Sequence, residues 1–310
     1  ELLANTKKTR SDKRYVSLDV AYGIRARVHL TMHNYADALK DAEAALASTS
    51  SVPYSSAAVS KPTFIDIEDA SWMWGILITD KDRVSTTGIC NFPSHMGSLN
   101  YGYASVGGWR RISPKLYNQI PESDVRKGWF LDDTGVSVNL PAAAQAYITK
   151  KGAPVYTQVK YGPMNDEWGS NNNATDVILM RVEEMYLIKA EAQAMNNDVS
   201  GGVNTLNSFV NTYRDPSYKC TATTGEAVQE AVWHQRRIEF WGEGLAYFDI
   251  MRLNKGVNRL GCGFPKTAVF NIVAGDPVQI YSIPNKEVQY NPLLENNPLV
   301  SAPTPIPDEE

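Results

Sequence analysis

Between Thr49 and Thr175 the chain is rich in flat rings: Trp72, Trp74, Tyr101, Tyr103, Trp109, Tyr117, Trp129 and Trp168. Two groups stand beside glycines, Tyr101-Gly102-Tyr103 and Gly107-Gly108-Trp109, which places them in loops. A sugar ring has an apolar face of C–H groups and a rim of hydroxyls. An exposed aromatic ring can cover that face while amides and charges bond the rim. Asn100, Arg110, Asp166 and Asn171 to Asn173 are polar groups in the same stretch. The chemistry that fits is a shallow glycan platform. Its candidate ligand-binding residues are Trp109, Tyr101, Tyr103, Trp72, Trp74, Trp168, Asn100 and Arg110. The competing assignment for each ring is core packing, since aromatics are highly buried on average. Trp72 and Trp74 share one side of a strand, which suits burial.

Catalysis is poorly supported. A glycosidase needs two carboxylates placed across a bond, and with 34 acidic residues spacing selects no pair. His29 and His33 are four apart on a helix, but no third metal ligand accompanies them. The Gly107-Gly108 pair lacks the following helix and Lys of a phosphate loop. No GxSxG or Cys/His arrangement occurs. No catalytic residue, metal or cofactor is therefore expected. Cys90, Cys220 and Cys262 form no CxxC pair, and their odd number leaves at least one free thiol; pairing of Cys220 with Cys262 stays open.

The elements that must carry the rings lie on either side. Leu18, Ala21, Ile24 and Val28 share one side of a helix over 17–32. After Asn34, a second helix over 35–47 runs through Ala38, Leu39, Ala42 and Ala45. Two short-linked helices with Ala contacts predict an αα-hairpin of the tetratricopeptide kind. A second copy follows the aromatic stretch: residues 21–34 align with 185–198, matching Tyr22 to Tyr186, Ile24 to Ile188 and Ala26 to Ala190. Such hairpins cannot bury their faces alone, so the two copies predict one stacked scaffold. The expected organisation is a hairpin over 15–48, a loop-rich insertion with a few short strands over 49–175, and a C-terminal helical part with a closing segment over 176–299. Within the insertion, 70–79, 136–140 and 155–161 are the short apolar runs.

Charge and hydropathy narrow the partners. The net charge is −4 with no long basic run, which argues against nucleic acid. The most apolar helix, near 177–195, is interrupted by Arg181, Glu183, Glu184, Lys189 and Glu191, so it does not read as a membrane span.

The stretch from Glu226 to Lys255 concentrates both aromatics and charges. Glu239 and Glu243 stand four apart and would repel unless cations lie nearby. A structural clasp of mutually satisfied ions is the expectation here. A short second helix is predicted to bury Leu245, Phe248 and Met251.

The residues Arg236, Arg237, Glu239, Phe240, Glu243, Gly244, Phe248, Asp249 and Arg252 closely resemble the C-terminal signature of the SusD/RagB family of bacterial outer-membrane nutrient-binding lipoproteins. Gln235 stands where the family commonly has Glu, and Ala246 where it has Arg. Arg181, Tyr186, Ala190 and Glu191 resemble the helix that opens the family's later unit. The Asp124-x-Arg126 pair resembles a segment that anchors its insertion to the helices, and 283–298 resembles its closing run. The resemblance implies a mainly α, tetratricopeptide-like superhelical SusD-like scaffold with a loop-rich insertion. It implies a non-catalytic protein at the cell surface that binds oligosaccharides and delivers them to a SusC-like TonB-dependent outer-membrane transporter. RagB-like relatives are associated with peptides, and a ligand-free helical adaptor is a third alternative. Family members normally begin with a lipoprotein signal, a lipidated Cys and further helical sequence. This chain opens on ELLANTKKTR, so it is expected to correspond to the later part of a full member, with membrane contact only through a lipid anchor absent from this chain.

Overall fold

The computed structural model describes residues 11–86, 91–298 and 300–303. Cys90 and the Pro-containing tip, 304–310, lie outside the described residues. The chain divides into two compact units. One holds the described residues up to Ile112 together with Leu116–Gly244; the other holds Ser113–Lys115 and the described residues from Leu245 onward.

The first unit contains the helical frame. Helices α1 (Leu18–Thr31) and α2 (Tyr35–Ser48) form the first hairpin. His33, with φ of 60°, makes the turn between them. Small side chains close the interface: Ala26, Ala38, Ala42 and Ala45 are fully buried. The predicted second hairpin is also present, further down the chain, as α7 (Val182–Met195) and α8 (Val199–Tyr213). Its backbones approach so closely that a Cβ on Gly202 would stand 2.7 Å from the Ala190 carbonyl oxygen. The Asp198 carboxylate accepts from the Gly201 N–H and caps α8. Helix α2 packs on α7, and α9 (Gly225–Glu239) packs on α7 as well. The two copies thus belong to one stacked body. Helix α7 is its centre, burying Glu183, Glu184 and Glu191 along with Met185, Leu187 and Ile188.

Between the hairpins the chain is mostly irregular, with short helices α3 (Ser56–Val59), α4 (Phe92–Met96) and α5 (Pro114–Tyr117) and the longer α6 (Ala142–Lys150). Strand β1 (Trp72–Ile76) pairs antiparallel with β2 (Val177–Arg181), and the register slips between Trp72 and Gly75. That slip breaks the two-residue alternation. Trp72 and Met73 are both buried, and Trp74 is half-buried. The runs over 136–140 and 155–161 form no named strand. Among the described residues the second run contributes three isolated bridges, Arg111 to Thr157, Phe130 to Gln158 and Thr63 to Tyr161. In the first run, Ser137 and Asn139 bond non-neighbouring carbonyls of Gly128, Val59 and Val125 through their side chains, and Val138 faces solvent. The insertion has its own core, centred on Phe64, Trp72, Trp129, Phe130 and Ile120.

The second unit contains α10 (Ala246–Arg252), a two-stranded β3 (Val257–Asn258) and β4 (Asn271–Ile272) ribbon, and α11 (Asn285–Tyr290). The prediction for α10 needs correction. Phe248 and Met251 are exposed, and the buried members are Asp249 and Arg252, an ion pair at 2.8 Å. Cys220 and Cys262 are both free thiols.

Candidate functional site

The tie between insertion and frame fixes where the rings can stand. Glu239, at the last turn of α9, accepts from Arg214 Nε at 2.8 Å, Arg181 Nη1 at 3.1 Å and Arg126 Nη1 at 3.2 Å. Glu243 accepts from Arg181 Nη2 at 2.8 Å and from Lys160 Nζ at 2.6 Å. Arg181 therefore bridges the two glutamates whose spacing demanded a cation. Glu183 bonds Arg214 and pairs with Arg181, both at 3.1 Å, and Asp124 holds Arg126 at 2.6 Å. Four carboxylates (Asp124, Glu183, Glu239, Glu243) thus face four cations (Arg126, Lys160, Arg181, Arg214), and all eight side chains are at most 5% exposed. Gln235 adds an uncharged acceptor for Arg126. Burial favours neutral Glu239, but the guanidinium groups of Arg214, Arg181 and Arg126 outweigh it and hold the acid far below the usual carboxylate range. Burial pushes the Lys160 ammonium down to about 8, against the pull of Glu243. Asp124, Arg126 and Lys160 come from the insertion, and the rest from the frame.

The candidate rings then sort by environment. Tyr101 and Tyr103 are 49% and 41% exposed. The Lys151 ammonium lies 5.0 Å from the Tyr101 ring centroid. Tyr103 stacks on His95 at 4.6 Å, and the Arg110 guanidinium carbon is 5.7 Å from its centroid. Arg110 is held in turn by the Gly108 carbonyl, and its Nη2 lies 3.3 Å from His95 Nδ1. A loop contact seats this strip: the Tyr101 N–H donates to the Ser170 carbonyl and the Gly169 N–H to the Leu99 carbonyl, both at 2.8 Å. The Tyr147 hydroxyl donates to the Asn100 carbonyl at 3.0 Å. Trp109 and Trp168 are half-buried against Leu99, Leu131, Ala144, Ile148 and Val159, so each offers only part of a ring.

Two of the candidates are corrected by the structure. Trp72 is 0% exposed, and its indole N–H donates to the Tyr54 hydroxyl at 2.7 Å. It is core, and no ligand reaches it in this fold. Asn100 is 1% exposed, and its amide donates to Asn173 Oδ1 at 3.1 Å, stapling two loops beneath Tyr101. Trp74 packs at the edge of the α1, α2 and α7 core, away from the Tyr101–Tyr103 loop in its contacts. Trp129 is core as well, bonded to the Val59 carbonyl. The structure brings together Tyr101, Tyr103 and Arg110, and adds His95, Tyr147 and Lys151. Sequence reading missed these three, since tertiary contact alone sets them beside the tyrosines. Among the described residues no group of three or more His, Cys, Asp or Glu could hold a metal ion. No described helix is long and apolar enough to cross a membrane.

A sequence profile described as the SusD family matches residues 121–299, more than half of the chain, and the chain belongs to that family. Among solved structures it is similar to a SusD superfamily protein from Bacteroides thetaiotaomicron, with 22% identity, a TM-score of 0.74, and coverage of 94% of this chain and 62% of that one. A SusD-like carbohydrate binding protein from Bacteroides vulgatus gives 23% identity and a TM-score of 0.63, covering 90% of this chain and 52% of that one. A SusD superfamily protein from the same species gives 19% identity and a TM-score of 0.70, covering 94% and 61%. At these identities the likeness is one of fold. The chain spans between 52% and 62% of the length of these three structures. No curated protein matches it.

Proposed function

We propose that this protein binds oligosaccharides at the cell surface, without catalysis, and delivers them to a SusC-like TonB-dependent transporter. It would sit on the outer membrane as a lipoprotein. The observation that carries the reading is the Tyr101–Tyr103 strip: two substantially exposed rings, each flanked by a cation, on a loop seated by backbone hydrogen bonds. An exposed ring accepts the C–H face of a sugar, and Lys151 and Arg110 can donate to hydroxyls at its rim. Family membership supports the nutrient-uptake role, and one similar structure is described as a carbohydrate binding protein. The half-buried Trp109 and Trp168 would border the strip.

Isothermal titration against a panel of neutral and acidic oligosaccharides tests this. Tyr101→Ala and Tyr103→Ala should each weaken binding by about tenfold, the loss of one ring contact of roughly 1–2 kcal/mol. Trp109→Ala should weaken it less. Equal affinity of wild type and the Tyr101→Ala/Tyr103→Ala variant for every glycan that binds would remove the strip from the site.

A further inference from the structure

A second concavity shares no lining residue with the Tyr101–Tyr103 strip. It has a volume of about 640 Å³, within the range of small-molecule sites. Tyr117, Phe130 and Tyr156 give it aromatic walls, and Glu122, Asp124, Asp132 and Asp133 supply carboxylates. Lys127 is the single cation among its lining residues.

The charges do not cancel. Asp124 is spent on Arg126, and Glu122 on Lys127. Asp132 and Asp133 form no ion pair among the described residues. Asp132 Oδ1 accepts from the Thr134 N–H, the Thr134 hydroxyl and the Val136 N–H, which leaves Oδ2 open. Burial raises Asp132, but these donors outweigh it and hold the carboxyl below its ordinary range, so it is ionised at neutral pH.

An independent observation comes from Tyr117. The residue is 8% exposed and lines the cavity, and its hydroxyl, open to solvent there, has no hydrogen-bond partner among the described residues. A phenol so placed can donate to a ligand oxygen. Burial, with the carboxylates of Asp132, Glu122 and Asp133, pushes this phenol up to about 12, so it is a donor at neutral pH. Its ring already receives one ammonium: Lys127 Nζ lies 5.1 Å from the centroid while pairing with Glu122.

We propose that this cavity is a second binding site, for a small molecule that carries a primary ammonium on a polar body of about disaccharide size. The ammonium is held by Asp132 and Asp133, and a ligand oxygen accepts from the Tyr117 hydroxyl. An amino sugar and a lysine-bearing peptide share this chemistry.

The test is titration calorimetry of the chain at low salt with two probes: the disaccharide of glucosamine and an Nα-acetylated lysyl dipeptide amide. Each is compared with the same molecule acetylated on its free amines. At least one free amine should bind, with acetylation weakening it by about tenfold or more. The better probe names the source. Asp133→Asn, at an exposed position, should weaken binding severalfold. Asp132→Asn, which keeps an acceptor for Thr134 and Val136, should do the same, and Tyr117→Phe should weaken it about threefold. Tyr101→Ala should leave it unchanged. The proposal is overturned if neither free amine binds at 10 mM, if the acetylated probes bind equally well, or if Asp133→Asn and Tyr117→Phe both bind as wild type.

Discussion

Replacing Glu239 by Gln removes one charge from the buried set and leaves its shape nearly intact. In the native protein four cations face four carboxylates; the variant has four facing three. The Gln carbonyl can still accept from one guanidinium, but its NH₂ points a donor at Arg126, Arg181 or Arg214. Removing one partner of a buried pair costs about 3–5 kcal/mol. The set has one outlet. Lys160 already titrates at about 8, and Glu239 is among the groups holding it up, so losing Glu239 lowers it further. Shedding a proton of that affinity at pH 7 costs only about 1 kcal/mol. The full penalty should therefore appear near pH 6 and shrink toward pH 9. Urea unfolding across that range, followed by tryptophan fluorescence, measures it. Thermal midpoints should fall by roughly 6–20 °C at pH 6, given about 2–4 °C per kcal/mol for a unit of this size. Adding Lys160→Met restores charge balance at three against three and should recover part of the loss, a positive coupling in a double-mutant cycle. A cost below about 1 kcal/mol at every pH, or strict additivity with Lys160→Met, would refute the balanced-set account.

The wild-type protein has its own pH signature. Lys160 is at about 8 folded against an ordinary 10.5, so between these values the unfolded chain binds more protons and stability rises with pH. Tyr54 and Tyr161, raised well above 10, reverse the trend at still higher pH. Urea midpoints at pH 7 and 9.5 should show the rise, and Lys160→Met should abolish it. On the acid side, depressed Glu239 and Glu243 contribute stability that is lost as pH falls below about 4.5, visible as an acid unfolding limb. Trp72→Ala should cost about 3–5 kcal/mol in urea unfolding, whereas Tyr101→Ala should stay within about 0.5 kcal/mol and act on glycan binding. Gly169→Ala should cost about 1–3 kcal/mol and weaken glycan binding together. Its φ is +84°, and the new Cβ would stand 2.5 Å from the Tyr147 ring that supports the Tyr101 loop.

The frame was legible because its signals are local. Ala38, Ala42 and Ala45 mark a close-packed face by spacing alone, and the match of 21–34 to 185–198 announces a second hairpin. The clasp was half legible. Like charges at 239 and 243 demand cations, but Arg126, Lys160 and Arg181 lie 58 or more positions away from Glu239 and are selected by folding. The rings were least legible. Trp72 and Tyr101 are both aromatic residues in a loop-rich stretch, and only a register slip against β2 and the Tyr54 hydroxyl decide that one is core. Asp132 and Asp133 carry no distinguishing local pattern, because their carboxylates become notable only beside Tyr117 at the cavity wall.

The placement of the ions also has a physical logic. The insertion pairs with the frame through one five-residue strand whose register is already irregular. Apolar contact fixes how much surface is buried but not how it is oriented. Guanidinium forks are directional, and Arg126 and Lys160 reach frame groups at Glu239 and Glu243 in geometry that a sliding insertion would break. A buried ionic set adds little net stability, but it penalises every wrong docking by leaving charges unpaired. The insertion can therefore be loop-rich and still present Tyr101 and Tyr103 in one arrangement, because its register is set at the clasp rather than along a ladder.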